Sequence, residues 1–165
     1  MEAYVALGAN LDDPAAQVER AIAELARLPR TRLTARSALY LSEAEGYTAQ
    51  PDFVNAVAAL DTTLPPRALL AVLLEIESRH GRRREFKNAP RTLDLDLLLY
   101  DGLVLHEPGL TLPHPRMCAR AFVLQPLADI APQQRIPGRG SAAECLAELS
   151  AMPLRRLPRV DRDAA

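Results

Sequence analysis

The sequence predicts an α+β domain of the ferredoxin-like, split βαβ type: a sheet with helices on one face, plus an added C-terminal hairpin and short helices. Three observations point there. Hydrophobic periodicity runs in the order strand, helix, strand, strand, helix, strand, proline marks the start of both helices, and the last strand reads LDLDLLLY.

The elements follow in order. Tyr4 to Ala9 alternates weakly and ends at Gly8-Ala9-Asn10, a strand entering a turn. Asp13-Pro14 starts a helix whose stripe is Val18, Ile22 and Leu25, and Pro29 stops it. Leu33, Leu39 and Leu41 mark a second strand. Phe53 to Leu60 forms a third, after a loop through Glu43, Gly46 and Gln50. Pro65-Pro66 opens a second helix with Leu69, Leu70, Leu73 and Ile76 on its apolar face and Gly81 as its C-terminal cap. The strand with Asp94 and Asp96 comes next, and Asp101-Gly102 turns the chain back into a hairpin through Leu103-Val104-Leu105. A Pro-rich stretch from Pro108 to Pro115 and a short helix near Ala142 to Leu149 complete a single domain over residues 1–152. Residues 153–165 are expected to be a mobile tail.

With 165 residues the chain is long enough for a core without staples. Twenty basic and 21 acidic residues give a net charge of −1, which argues against a whole-surface nucleic-acid footprint. The N-terminus MEAYVALGAN has no basic leader, no stretch approaches a membrane span, and a cytoplasmic protein is expected. Cys118 and Cys145 stand far apart in no CxxC pattern, so they read as buried or idle thiols.

Alternation places Leu93, Leu95, Leu97 and Leu99 on one strand face and Asp94, Asp96, Leu98 and Tyr100 on the other. The two acids are then roughly 6.5–7 Å apart at Cα, a separation that calls for a cation between them. If the helices cover the leucine face, the acids lie on the open side of the sheet. A lone D-x-D there is more often plain polar surface. Just upstream, however, SRHGRRREFKNAPR gathers Arg79, Arg82, Arg83, Arg84, Lys87 and Arg91. Carboxylates that hold a divalent ion beside guanidinium forks are the parts that bind a polyphosphate. No Walker or dinucleotide glycine loop, H-E-x-x-H or G-x-S-x-G pattern occurs, so side chains and metal must do that binding.

Four stretches together resemble the 6-hydroxymethyl-7,8-dihydropterin pyrophosphokinases of folate biosynthesis: YVALGANLDDP, QPDFVNAVAAL, GRRREFKNAPRTLDLDLLLY and LTLPHPRMCARAFVLQPLADIAP. They run in family order from Tyr4 to Pro132. The resemblance implies transfer of a pyrophosphoryl group from MgATP to the pterin hydroxymethyl oxygen, with release of AMP. It implies that Asp94 and Asp96 hold two Mg2+ ions and that Arg82 and Arg91 act on the phosphates near the transition state. Arg84, His114 and Arg120 would bind the nucleotide phosphates, with Glu77, Leu97 and Thr111 near the nucleoside. Asn55 would read the pterin edge and Phe53 and Phe122 would clamp its ring, although core packing is the competing reading for both phenylalanines. Ser42, Glu43 and Glu45 would offer the pterin backbone contacts only, because this segment departs from the family's Pro-rich stretch. Ala9, Asn88-Ala89 and Leu74 depart from the pattern as well.

The expected partners are therefore small molecules, ATP and the pterin, met by a monomer with no nucleic-acid or membrane partner. Two other classes stay open. A two-metal nuclease or nucleotidyltransferase would use the same acids, and an RNA-binding module shares the element order. The module needs exposed aromatics, and this chain has no Trp, four Tyr and three Phe.

Overall fold

The structure is a computed structural model, and it describes residues 1–11, 13–42, 52–81, 93–149 and 154–157. In chain order the elements are β1 (Glu2–Ala9), α1 (Pro14–Leu25), β2 (Thr31–Arg36), β3 (Tyr40–Ser42), β4 (Phe53–Thr62), α2 (Pro66–Arg79), β5 (Asp94–Tyr100), β6 (Leu105–Glu107), β7 (Leu110–Leu112), α3 (Ala121–Ile130), β8 (Arg135–Ile136), β9 (Gly140–Ser141), α4 (Ala142–Glu148) and β10 (Leu154–Arg156). Six strands form a mixed-in-length but wholly antiparallel sheet in the order β10-β3-β4-β1-β5, with β2 paired to β4 on the same flank as β3.

The predicted second strand is two strands. Val57 on β4 donates its N–H to Ser37 Oγ at 2.9 Å and accepts the Ser37 N–H at the same 2.9 Å. A side-chain hydroxyl thus replaces a ladder carbonyl, and the chain steps out of register between β2 and β3 while the Val57 N–H and carbonyl both keep a partner.

Both predicted helices cover one face. Val18, Ala21, Ile22 and Leu25 of α1 and Leu69, Leu73 and Ile76 of α2 pack on Ala3, Val5, Leu7, Ala56, Ala58, Leu60, Leu95 and Leu97. Each large side chain buried there contributes about 1.5–3 kcal/mol. The expectation of helices on one face alone needs correction, because α3 and α4 form a second layer on the other side. Val123, Leu124 and Leu127 of α3 and Ala142 and Cys145 of α4 pack over Tyr4, Ala6, Val57, Ala59, Leu98 and Leu99. The α3 segment carries Pro126 in its middle and is apolar nearly all round, so it shows neither an amphipathic stripe nor an uninterrupted helical pattern.

Strand β5 also departs from strict alternation. Tyr4 pairs with Leu99 but Val5 pairs with Leu97, so Leu98 is an extra, bulged residue. The bulge turns Leu99 to the face of the acids and sends Tyr100 to the α1/α2 side, where its hydroxyl donates to Leu64 O at 2.5 Å. The hairpin lies one turn later than expected: Asp101-Gly102 makes a tight turn with both residues at positive φ, and it is β6 and β7 that pair, around Pro108-Gly109. Residues 154–156, expected within a mobile tail, are strand β10 on the edge of β3. Among the described residues no helix is long and apolar enough to cross a membrane.

Ser37→Ala removes the acceptor for a buried N–H in mid-sheet. The expected loss is about 1–3 kcal/mol in urea denaturation, with Ser37→Thr, which keeps the hydroxyl, losing less.

Candidate active site

Among the described residues, α3 and α4 cover one end of the face that carries the acids. Strand pairing sets a row across the sheet, Tyr40–Asn55–Gly8–Asp94, and next to it Ala6 beside Asp96. Asn55 and Asp94 therefore flank Gly8 with two strand spacings between them, roughly 9.5 Å. Gly8 has no unusual backbone conformation. A Cβ there would stand 3.3 Å from Asn55 Oδ1 and 4.0 Å from the Phe53 ring, so the missing side chain keeps the floor between amide and acid clear.

Asn55 is buried, and its Nδ2 donates to Ser42 Oγ at 2.7 Å and to Phe53 O at 3.4 Å. The amide is thereby oriented, with Oδ1 on the Gly8 side. Asp94 and Asp96 are half-buried at the open end of β5.

His114 closes the outer edge of β5. Its N–H donates to Leu98 O at 2.9 Å, at the bulge, and its Nε2 lies 3.9 Å from Asp96 Oδ1. The Arg116 N–H donates to Nδ1 at 3.2 Å, so Nδ1 is the acceptor nitrogen and the ring proton sits on Nε2, facing the acid. Burial first, then the charges of Arg120 and Arg116, push the imidazole down to about 4, with Asp94 pulling the other way. It is neutral at neutral pH. Arg120, the residue before α3, lies over the Phe122 ring with 5.4 Å from Cζ to centroid, a cation–π pair at the rim of the same face.

Ser42, Phe53, Asn55, Asp94, Asp96, His114, Arg120 and Phe122 are thus gathered on one face and its rim. Glu77 and Leu97 are not. Glu77 is buried on the α2 side, its Oε2 accepting the Leu95 N–H at 2.7 Å, and the Leu97 side chain lies in the α1/α2 core. Thr111 sits in the β6–β7 hairpin opposite His106. Glu43, Glu45, Arg82, Arg84 and Arg91 lie outside the described residues. Gly8 and Tyr40 belong to the site row and were not expected there. The sequence signals for Gly8 were a glycine at a strand end and its place in YVALGANLDDP, and Tyr40 gave none.

Residues 4–132 match the model of the 7,8-dihydro-6-hydroxymethylpterin-pyrophosphokinase (HPPK) family. The chain belongs to this family. It is 50% identical over 155 residues to the 2-amino-4-hydroxy-6-hydroxymethyldihydropteridine pyrophosphokinase of Pseudomonas aeruginosa, covering 94% of this chain and 96% of that protein. To the enzyme of the same name from Bacillus subtilis it is 40% identical over 142 residues, covering 86% and 84%. In fold it matches Plasmodium falciparum HPPK-DHPS crystallised with pteroate, with a TM-score of 0.70 at 13% identity over 89% of this chain. The match spans 42% of that longer protein. The stretches that carried the resemblance thus mark membership of the HPPK family, and the described residues of this chain form an antiparallel sheet with four α-helices.

The buried Glu77 carboxylate meets an N–H on the outer edge of β5. Glu77→Ala orphans that donor, and thermal or urea unfolding is expected to show a loss of about 1–3 kcal/mol.

Proposed function

We infer that the protein transfers the pyrophosphoryl group of ATP to 6-hydroxymethyl-7,8-dihydropterin, giving the pterin diphosphate and AMP in folate biosynthesis. The observation that carries this is the row in which a buried, oriented amide and a carboxylate pair face each other across a side-chain-free floor, in a chain of the HPPK family. The reading takes the strand order as a ferredoxin-like core, supported by β1 lying between β4 and β5 with α1 and α2 on one face.

The amide end suits a pterin. Asn55 offers a donor and an acceptor on one planar group, matching the paired donors and acceptors of the pterin edge, and Ser42 holds it in place. Phe53 on β4 and Phe122 on α3 would hold the flat ring, with any contact from Ser42, Glu43 and Glu45 made by backbone. A bicycle lying over Gly8 with its amide edge at Asn55 directs its hydroxymethyl arm toward Asp94 and Asp96.

The acid end suits magnesium. Its donor set is oxygen only, since His114 turns a proton and not a lone pair toward Asp96. Two carboxylates completed by substrate phosphates match the way this ion is held. We assign two Mg2+ ions to Asp94 and Asp96. When bound, magnesium supplies charge neutralisation and orientation for the polyphosphate and the attacking hydroxyl.

The chain's own groups do the rest. The His114 Nε2–H and the Arg120 guanidinium are hydrogen-bond donors at the rim and are assigned to the phosphate oxygens. Arg84 is assigned to the same phosphates, and Arg82 and Arg91 to the group in transfer. Thr111, Glu77 and Leu97 are assigned to the nucleoside side. The last two would act through the outer backbone edge of β5, which Glu77 orders. The protein is proposed to work as a cytoplasmic monomer.

Asp96→Ala is expected to fold and to lose at least a hundredfold in pterin-dependent AMP formation, since one carboxylate cannot orient the polyphosphate. Near-normal turnover in magnesium would refute the assignment. A nuclease or nucleotidyltransferase would instead release AMP or transfer nucleotide without the pterin. Asn55→Ala is expected to weaken pterin binding about tenfold or more and to leave MgATP binding within twofold. Calorimetric titration with each ligand separates these, and equal losses for both would count against two distinct walls.

A further inference from the structure

Tyr40 stands in the site row beside Asn55 yet has no part in the chemistry above. Its side chain is buried, and its hydroxyl donates to the Asp129 carboxylate at the far end of α3. Gln125 Nε2 donates to the other Asp129 oxygen at 3.0 Å, so the carboxylate is held between its own helix and β3. Phe122 and Asp129 are seven residues apart, close to two helical turns, and therefore share one side of α3. Tyr40 grips the helix on the side that carries the aromatic ring.

Strand β3 thereby touches both walls of the cleft. Through Ser42 it fixes the amide of Asn55, and through Tyr40, two residues earlier on the same strand face, it fixes the helix bearing Phe122. Elsewhere α3 packs on the sheet through Val123, Leu124 and Leu127 against Val57, Ala59, Leu98 and Leu99. Such contacts resist separation but tolerate sliding, whereas a hydrogen bond sets position. The bond is also durable. Burial, then the hydrogen bond to Asp129 and its charge, push the Tyr40 hydroxyl up to about 12, with Arg156 and Gln125 opposing, so it remains a donor at any working pH.

We propose that Tyr40 and Asp129 form a positioning pair that sets the spacing between Phe122 and the Ser42–Asn55 pair, and so tunes affinity for the flat-ring substrate without touching it. This rests on the reading that Asn55 and Phe122 face the pterin.

Tyr40→Phe keeps the ring and removes only the hydroxyl. Steady-state kinetics should show KM for the pterin raised roughly three- to tenfold, while KM for MgATP stays within twofold. Asp129→Asn should act in the same direction, and the double variant should be no worse than the poorer single one. Asp129→Glu, which restores a carboxylate, should recover most of the pterin affinity. Calorimetric pterin titration of Asn55→Ala, run alongside, tells the two ideas apart. If Asn55→Ala loses pterin affinity and Tyr40→Phe does not, the positioning role falls while the site reading stands. If Asn55→Ala itself has no effect, the site reading falls first. A Tyr40→Phe protein that melts lower but keeps both KM values, or one that shifts both equally, would overturn the proposal in favour of a purely structural bond.

Discussion

Carboxylates cannot lie under a packed apolar layer unless something pays for their lost hydration, and that constraint shapes this molecule. Among the described residues, α1 and α2 cover one face of the sheet and α3 and α4 cover part of the other. Where α3 and α4 lie, the face presents Tyr4, Ala6, Val57, Ala59, Leu98 and Leu99, and where they stop it presents Asp94, Asp96 and Asn55. The candidate site is the polar remainder of a core face, with Asn55 buried and the two acids half-buried. Its polar groups sit on rigid strands, so they keep their spacing without help from a ligand.

The bulge at Leu98 marks the border between these two halves. It lets one short strand give acids to the open end and two successive leucines to the second core, and it offers the Leu98 carbonyl to His114. That single backbone bond brings the 113–120 segment, with its cis peptide before Pro113, alongside β5 and delivers the imidazole to Asp96. One local irregularity thus links packing of the helix layer to assembly of the site.

The sequence disclosed what repeats within a few residues. The period-2 pattern of LDLDL was enough to place both acids on one face, and the 3.6-residue stripes of α1 and α2 were enough to place the helices on the other. The bulge was hidden because Leu97, Leu98 and Leu99 look the same under either phase. Helix α3 was hidden by Pro126 and by its nearly uniform apolarity. Strand β10 was hidden because Leu154–Arg156 carries two arginines and one leucine, too short a pattern to read. Of the site, the resemblance named Asn55, His114, Arg120 and Phe122, and the fold brings these together. The bond from Tyr40 to Asp129 spans 89 positions, and between Gly8 and Asn55 lie α1, β2 and β3; no local pattern encodes either approach.

Strand β5 is an edge strand, and the acids stand on it. An edge with bare amides and carbonyls is a template on which a foreign strand can add, the first step of ordered aggregation. Here the outward N–H of Leu95 is taken by the Glu77 carboxylate and the outward carbonyl of Leu98 by the His114 amide. The opposite flank of the sheet ends in β10, a three-residue strand with two charged side chains. The contacts that order the acid-bearing edge thereby also blunt it as a nucleus for sheet growth, so colloidal solubility and a formed acid-bearing strand draw on the same two hydrogen bonds.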